Sequence, residues 1–160
     1  MDKLISCPFC EQDFKSNVFN ETEYFLAAYN IAPILPGHSI IIPKKHVSSL
    51  LELSQKEKQE AMLYTCFVIE RLIKIFNSTG FDFSIQDGNA AGQTVNHFHI
   101  HLIPRKENDL ESPGEWYPLL RESNLKVLDS DLREKINKSD MIKIVSFIKS
   151  KFGNDSFHSL

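Results

Sequence analysis

The chain has 160 residues, of which 42% are hydrophobic and 24% charged, as in an ordinary globular domain and unlike a disordered or fibrous protein. A formal net charge of −3 with scattered basic residues argues against a nucleic-acid partner, and no apolar stretch is long enough to cross a bilayer. Because no signal-peptide pattern follows Met1, the protein is expected in the cytoplasm, with no membrane partner.

The first motif along the chain is a Cys-x-x-Cys pair, formed by Cys7 and Cys10. Three cysteines do not make a disulfide framework, and in a reducing compartment metal ligation is the better use of this pair. The third cysteine, Cys66, lies in an apolar helical run and is predicted to be buried in the core.

The amino-terminal half of the chain predicts short strands separated by turns. Residues Asn17 to Glu23 have the pattern of strand, turn and strand, and Tyr24 to Asn30 is a further strand-like run. Pro36 and Gly37 signal a turn directly before the next predicted strand, Ser39 to Pro43. These segments together predict a hairpin.

One long helix follows the hairpin. Ser54 and Glu57 form a Ser-x-x-Glu capping box, and apolar residues then recur at helical spacing as far as Phe76. The helix is predicted to end near Asn77, and Gly80 lies beyond its end.

Two further strands are predicted, and the second carries three histidines. Residues Phe81 to Gln86 alternate as a strand before an Asp-Gly-Asn turn, and Asn96 to Pro104 form the second strand. Side chains alternate faces along a strand, so the histidines would share one face while the apolar residues enter the core. Imidazole can act at neutral pH as a nucleophile, a proton carrier or a metal ligand. The histidines are His97, His99 and His101, and the apolar residues are Phe98, Ile100 and Leu102.

The last third of the chain predicts a loop and a helix. Residues 105–122 are polar and contain prolines, so they are predicted to form a long loop whose Trp116 and Tyr117 pack in the core or at a subunit contact. Residues Ser139 to Phe152 are amphipathic and predict a docking helix. We therefore expect residues 1–106 to form the domain core and residues 107–160 to be an extension of the same domain.

The residues around the histidines resemble the histidine triad family of nucleotide hydrolases and transferases. The family signature, three histidines alternating with apolar residues, is matched from His97 to Ile103. The stretch from Phe83 to Arg105 is most similar to the fragile histidine triad branch, whose members hydrolyse dinucleoside polyphosphates. His38, after a Leu-Pro-Gly turn, and Asn30 fall where that branch has its turn and its ribose contact. The resemblance extends over about residues 4–105.

The resemblance implies a catalytic role for four residues. His99 would attack the α-phosphorus to give a nucleotidyl-histidine, which water then hydrolyses. Its ring would be neutral and oriented by a backbone carbonyl within the histidine strand. His101 and His38 would place donors or charge around the phosphate oxygens, and Gln86 would lie near the bridging oxygen.

The resemblance also implies contacts to the rest of the substrate. Asn30 would bind a ribose hydroxyl, and a glycine-containing turn would donate to phosphate oxygens. The further residues predicted to bind substrate are Gly92, Gln93, Thr94 and His97. The apolar candidates to flank the base are Phe25, Ala27, Ile31 and Ile40.

Four residues predict a structural zinc site. Cys7 and Cys10 supply half of the four ligands that such a site needs, and His46 and His97 can supply the others. This pattern resembles the zinc-bearing members of the wider family, in which zinc ties an amino-terminal knuckle to the catalytic strand. A closed site with four protein ligands leaves no coordination position for water, so the zinc would be structural. The alternative is a pair of thiols without metal.

These observations predict an α+β domain, with a five-stranded, mostly antiparallel sheet, one long helix and a carboxy-terminal helical extension. The predicted function is hydrolysis of a dinucleoside polyphosphate, such as diadenosine tri- or tetraphosphate, with Mg²⁺ accompanying the substrate and AMP released. A homodimer is expected, as in the family. Two alternatives remain, hydrolysis of an adenosine phosphoramidate such as AMP-lysine, and a nucleotide-binding signalling module with slow turnover.

Overall fold

A five-stranded antiparallel sheet is the centre of the fold, which the computed structural model describes for residues 7–125, 135–153 and 157, with residues 121–125 described by their backbone. The strands are β1 (Val18–Glu21), β2 (Phe25–Tyr29), β3 (Ser39–Pro43), β4 (Gly80–Ser84) and β5 (Ile100–Arg105). Their order is β1-β2-β3-β5-β4, so β1 and β4 form the edges. The predicted α+β class and the five-stranded sheet are confirmed.

Three α-helices accompany the sheet. They are α1 (Gln55–Phe76), α2 (Trp116–Leu125) and α3 (Lys138–Phe152). Helices α1 and α3 pack in one apolar core with side chains of β2, β3 and β5. A 3-10 helix, Gln12–Asn17, leads into β1. No helix in the described part of the chain combines the length and the apolar character needed to cross a membrane.

The sheet face opposite the main core carries a row of side chains across four strands. His101 of β5 pairs with Ile40 of β3, Ile40 pairs with Ala28 of β2, and Ala28 pairs with Val18 of β1. Directly paired residues in an antiparallel sheet point to the same face. His101 therefore stands at one end of an apolar row. Its neighbours along β5 are buried in the main core, as predicted, and these are Ile100 and Leu102.

Helix α1 begins at the predicted capping box. Ser54 Oγ accepts from the Glu57 N–H at 3.3 Å, and Glu57 Oε2 accepts from the Ser54 N–H at 2.7 Å. The Glu57 carboxylate also accepts from Lys45 Nζ at 2.9 Å, which joins the helix to the segment after β3. The Lys45 hydrogen bond, followed by those from Ser54, lowers the pKa of Glu57 to about 2. The helix ends at Asn77, which adopts the left-handed conformation with a φ of 50°.

Helix α3 docks as the amphipathic pattern predicted. Asn137 caps it by accepting from the Asp140 N–H at 2.9 Å. Apolar residues at helical spacing then enter the main core against α1 and β1. These buried residues are Met141, Val145, Ile148 and Phe152.

The histidine strand is shorter than predicted. Strand β5 begins at Ile100, so His97 and His99 precede it. The segment before β5 bonds to neighbouring loops in place of a strand, because the Phe98 N–H donates to the Val47 carbonyl at 2.7 Å and the His97 N–H donates to the Val95 carbonyl. The predicted alternation of faces still holds there, since Phe98 is buried in the main core.

The predicted loop over residues 105–122 is wrong at its carboxy-terminal end. A 3-10 turn, Pro113–Glu115, leads into α2 at Trp116, because proline is compatible with the first turn of a helix. Tyr117 is 44% exposed and packs edge-on against the half-buried Trp116, so it does not pack in the core, and the alternative of a subunit contact stays a prediction. Among residues 116–120, the part of this helix whose side chains are described, Leu120 is buried.

Two smaller expectations need correction. Cys66 is exposed on α1, because it lies on the same side of the helix as the exposed Met62 and Leu63 and away from the buried residues. The strand predicted from Asn17 begins one residue later, since Asn17 ends the preceding 3-10 helix, where its side chain donates to the Tyr29 carbonyl at 3.3 Å.

Replacement of Glu57 by glutamine is expected to lower the free energy of unfolding at pH 7 by about 1–2 kcal/mol, through loss of the ion pair with Lys45 and of a cap acceptor. A carboxylate with a depressed pKa stabilises the fold above its unfolded pKa, and this stability is lost as the pH falls from 4.5 towards about 2. The difference between parent and variant should therefore narrow over that range in urea unfolding. Glu111→Gln, at an exposed glutamate, is the control. An equal difference at pH 7 and pH 3 would contradict this account.

Candidate active site and metal-binding site

A cleft of about 420 Å³ lies on the sheet face that carries His101 and Ile40. This volume is within the range of small-molecule sites. Its lining has a polar part and an apolar part. The polar part includes Gln86, Gly92, Thr94, His99 and His101. The apolar part includes Phe9, Phe14, Ile31, Ile40, Leu120, Ile136 and Met141.

His99 is held in the orientation that a nucleophile requires. Its Nδ1 lies 2.8 Å from the carbonyl oxygen of His97, and a carbonyl only accepts, so Nδ1–H donates and the lone pair is on Nε2. Burial lowers the pKa of His99 more than this hydrogen bond raises it, which favours the neutral ring. The ring of Phe9 packs edge-on against His99 with centroids 5.3 Å apart.

His38 fixes the tautomer of His101. The Ile34 N–H donates to His38 Nδ1 at 3.1 Å, so a neutral His38 carries its proton on Nε2. That Nε2–H donates to His101 Nδ1 at 3.0 Å, which leaves the proton of a neutral His101 on Nε2. His101 lines the cleft beside His99, with ring centroids 4.9 Å apart. The ring of His101, with its proton on Nε2, therefore lies beside the ring of His99, with its lone pair on Nε2.

Three of the residues predicted to contact substrate lie outside the lining of the cleft. His38 is 0% exposed, and its Nε2 contacts His101 Nδ1 at 3.0 Å. His97 is also outside the lining, because both of its ring nitrogens face other partners. The side chain of Gln93 hydrogen-bonds to the backbone of two neighbouring loops. Its Oε1 accepts from the Gly88 N–H at 2.7 Å, and its Nε2 donates to the Ser48 carbonyl at 2.8 Å.

The remaining predicted polar residues lie at or near the cleft. Gln86 and Thr94 line it, and Gly92 lines it with a φ of 88°, a left-handed conformation that favours glycine. Asn30 also lines the cleft, with its Nδ2 3.3 Å from His38 Nε2 and its Oδ1 accepting from the Ala32 N–H.

Two of the four candidates to flank the base face the wrong side of the sheet. Phe25 and Ala27 are fully buried in the main core, whereas Ile31 and Ile40 line the cleft. Side chains alternate between the two faces of the sheet along β2. Ala28 pairs with Ile40 and shares its face, so Phe25 and Ala27 point to the opposite face. The apolar residues that sequence reasoning missed are Phe9, Phe14, Leu120, Ile136 and Met141. Phe9 lies within the Cys-x-x-Cys motif, which could have drawn attention to it. No sequence pattern indicated that Leu120, Ile136 and Met141 of the carboxy-terminal region would line the cleft.

The four predicted metal ligands come together next to the cleft. The ligand atoms of Cys7, Cys10, His46 and His97 all lie within 4.8 Å of one another. His97 Nδ1 is 3.4 Å from Cys7 Sγ and 3.5 Å from Cys10 Sγ, and His46 Nδ1 is 3.3 Å from Cys10 Sγ. Zinc bonds of about 2.0–2.3 Å place tetrahedral ligand atoms roughly 3.3–3.8 Å apart. The donor set and its spacing therefore fit zinc.

The surroundings orient the metal-site residues. His97 Nε2–H donates to the Pro43 carbonyl at 2.9 Å, which directs the Nδ1 lone pair towards the thiols. A tight turn, in which the Cys10 N–H donates to the Cys7 carbonyl, brings the two sulfurs to the same side. The site joins the amino-terminal turn, the segment after β3 and the segment before β5.

Comparison with known proteins agrees with this geometry. A model of the family described as HIT domain matches residues 11–108. A bis(5'-adenosyl)-triphosphatase of Dictyostelium discoideum is 40% identical over 103 residues, which cover 64% of this chain and 69% of that protein. An asymmetrical bis(5'-nucleosyl)-tetraphosphatase of Schizosaccharomyces pombe is 40% identical over 94 residues, or 59% of this chain, which spans 52% of that relative's length.

A solved structure shows the same fold. A zinc-bound histidine triad family protein from Mycobacterium smegmatis superposes with a TM-score of 0.62 over 92% of this chain and 94% of that one, at 24% identity. The HIT domain match extends over more than half of the 160 residues and contains all three alternating histidines. This chain therefore belongs to the HIT domain family.

Proposed function

We propose that this protein hydrolyses dinucleoside polyphosphates at the α-phosphorus and releases AMP. The observation that carries the proposal is the neutral His99, whose Nε2 lone pair is fixed by the hydrogen bond from Nδ1 to the His97 carbonyl. The two relatives named as a triphosphatase and a tetraphosphatase support diadenosine tri- and tetraphosphate as the substrates.

The proposed reaction has two displacements. In the first, His99 Nε2 attacks the α-phosphorus, a P–N bond forms, and the P–O bond to the remaining phosphates breaks as they leave. In the second, water attacks the same phosphorus, the P–N bond breaks, the water proton leaves to solvent, and AMP is released. Dividing one hard displacement into two easier ones is the general advantage of covalent catalysis. Diadenosine triphosphate would give AMP and ADP, and the tetraphosphate would give AMP and ATP.

The other polar residues of the cleft would stabilise the negative charge of the phosphates and position the ribose. The Nε2–H of His101, held in that tautomer by His38, would donate to a non-bridging oxygen of the α-phosphate as negative charge develops there. Gln86 and Thr94 would add donors beside it, and Asn30 would contact the ribose. Mg²⁺ would enter with the polyphosphate and neutralise part of its charge.

We also propose that Cys7, Cys10, His46 and His97 bind a structural zinc ion. The Cys₂His₂ donor set and the spacing of the ligand atoms support it, as does the zinc-bound relative with the same fold. When bound, zinc supplies cross-linking of three segments and no open coordination position for the reaction.

The exposed apolar residues support a homodimer. Strand β4 is an edge of the sheet, and its Phe81 and Phe83 are 50% and 38% exposed. Phe83 pairs with Leu102 of β5, so these rings lie on the face that α1 covers, and α1 itself exposes Met62. An unpaired edge beside exposed aromatic rings is typical of a surface that another strand covers. We propose that two copies pair through β4 and α1.

His99→Asn is expected to lower kcat on diadenosine triphosphate by at least about 1,000-fold, because the amide cannot attack phosphorus. AMP affinity should stay within about threefold of the parent, since asparagine can still donate to the His97 carbonyl. Product analysis by chromatography and titration calorimetry with AMP would measure both quantities. Hydrolysis at the parental rate would contradict the covalent scheme.

A substrate panel tests the proposed substrate class. Diadenosine triphosphate, diadenosine tetraphosphate, AMP-lysine and a nucleotide sugar would be incubated with the parent protein and the products identified. Formation of AMP with ADP or ATP is expected. Hydrolysis of AMP-lysine without hydrolysis of either dinucleoside polyphosphate would contradict the proposal and indicate a phosphoramidate hydrolase.

Cys10→Ser is expected to reduce the zinc content from one ion per chain to less than about a tenth, and to lower the Tm by about 5 °C or more, because a ligand of the cross-link is lost. Cys66→Ser, at the exposed cysteine of α1, is the matched control and should retain zinc. Mass spectrometry for zinc and thermal unfolding provide the readouts. Full zinc content in Cys10→Ser would show that the thiol is not a ligand.

Phe83→Arg is expected to convert the dimer to a monomer, because it places a charge in the proposed apolar contact. Ile142→Arg introduces the same charge at a 50% exposed residue of α3 and should leave the dimer intact. Light scattering coupled to size-exclusion chromatography would report the mass. A parent protein that is monomeric at about 50 µM, roughly fiftyfold above a micromolar dissociation constant, would refute the dimer.

A further inference from the structure

The carboxy-terminal region contributes a wall of the cleft, although it lies outside the HIT domain match. The match ends at residue 108, yet side chains from α2, α3 and the segment before α3 line the cleft. These residues are Leu120, Lys135, Ile136, Lys138 and Met141. The family fold alone therefore does not complete this cleft.

The apolar row on the sheet indicates which part of a nucleotide meets this wall. His99 and His101 stand on the β5 side of the cleft, where the α-phosphorus would lie. Moving away from His101, the floor continues to Ile40, the residue of β3 that pairs with His101 and lines the cleft. An apolar floor next to a phosphate site suits the flat, weakly hydrated face of a base. The base would therefore extend along this row, away from the histidines.

Ile136 is held beside Ile31, just beyond the carboxy-terminal end of β2. Its backbone N–H donates to the Ile31 carbonyl at 2.9 Å, and Ile31 itself lines the cleft directly after β2. Helix α3, which starts two residues later, is docked in the main core by Met141 and Val145. An exposed ion pair between Lys138 and Asp13 spans the same side at 3.4 Å, but an exposed pair contributes little. The main-chain bond and the docked helix therefore hold Ile136 in place.

We infer that Ile136 is a specificity-determining residue, whose side chain forms the wall against which the nucleobase of the bound nucleotide packs. The inference rests on the proposed function, because it takes the α-phosphate to lie at His99. The recognised chemistry is the apolar face of a base attached to a ribose phosphate. A ligand that has the ribose phosphate but no base would not reach this wall.

The test compares AMP with ribose 5-phosphate as ligands of the full-length protein. Ile136→Ala should weaken AMP binding about tenfold, through loss of apolar contact area, and leave ribose 5-phosphate binding unchanged. For diadenosine triphosphate, KM should rise by a similar factor while kcat is retained. Ile142→Ala removes the same side chain from an exposed position of α3 and should change neither ligand. Titration calorimetry and steady-state kinetics measure these effects.

Ile136→Leu distinguishes loss of the contact with the base from a general disruption of the carboxy-terminal region. It keeps the apolar volume, so AMP affinity should stay within about twofold of the parent. Unchanged AMP affinity in Ile136→Ala, or an equal loss for AMP and ribose 5-phosphate, would overturn the inference. The proposed function fails separately, if the parent binds AMP but hydrolyses no dinucleoside polyphosphate. In that case the comparison of AMP with ribose 5-phosphate still decides the role of Ile136.

Discussion

The chemistry of this site depends on one hydrogen bond, from His99 Nδ1–H to the carbonyl oxygen of His97. It assigns the ring proton to Nδ1 and so leaves the lone pair on the nitrogen that can face substrate. The bond is possible because His97 lies before the ladder between β3 and β5, so its carbonyl is not used by a neighbouring strand. A local departure from strand geometry thus orients the ring of His99, the proposed nucleophile.

His97 also connects His99 to the proposed zinc site. Its carbonyl orients His99, while its ring lies against Cys7 and Cys10 and donates to the Pro43 carbonyl. The turn between the cysteines carries Phe9, whose ring packs on both His97 and His99. The two sites therefore share a residue and an aromatic contact.

The sequence predicted those parts of the structure that depend on local rules. The Ser54 cap fixed the start of α1, and alternation separated His101 from Leu102 on β5. The faces of β2 could not be predicted, because its residues are nearly all apolar and show no alternation of polar and apolar side chains. Phe25 was therefore predicted on the face of the cleft, although it is buried in the main core. The orientation of His38 towards His101 could not be predicted either, since it follows from the Ile34 N–H, a tertiary contact of the turn.

The cleft is assembled from opposite ends of the chain, with Phe9 on one side and Ile136 on another. During synthesis the sheet emerges first, and the cleft beside Ile40 lacks the part of its lining that Lys135, Ile136, Lys138 and Met141 supply until those residues leave the ribosome. Domains form their contacts in the order in which segments become available. Docking of α3 therefore both fills the main core and completes the lining of the cleft, so folding of the core and assembly of the binding surface are coupled.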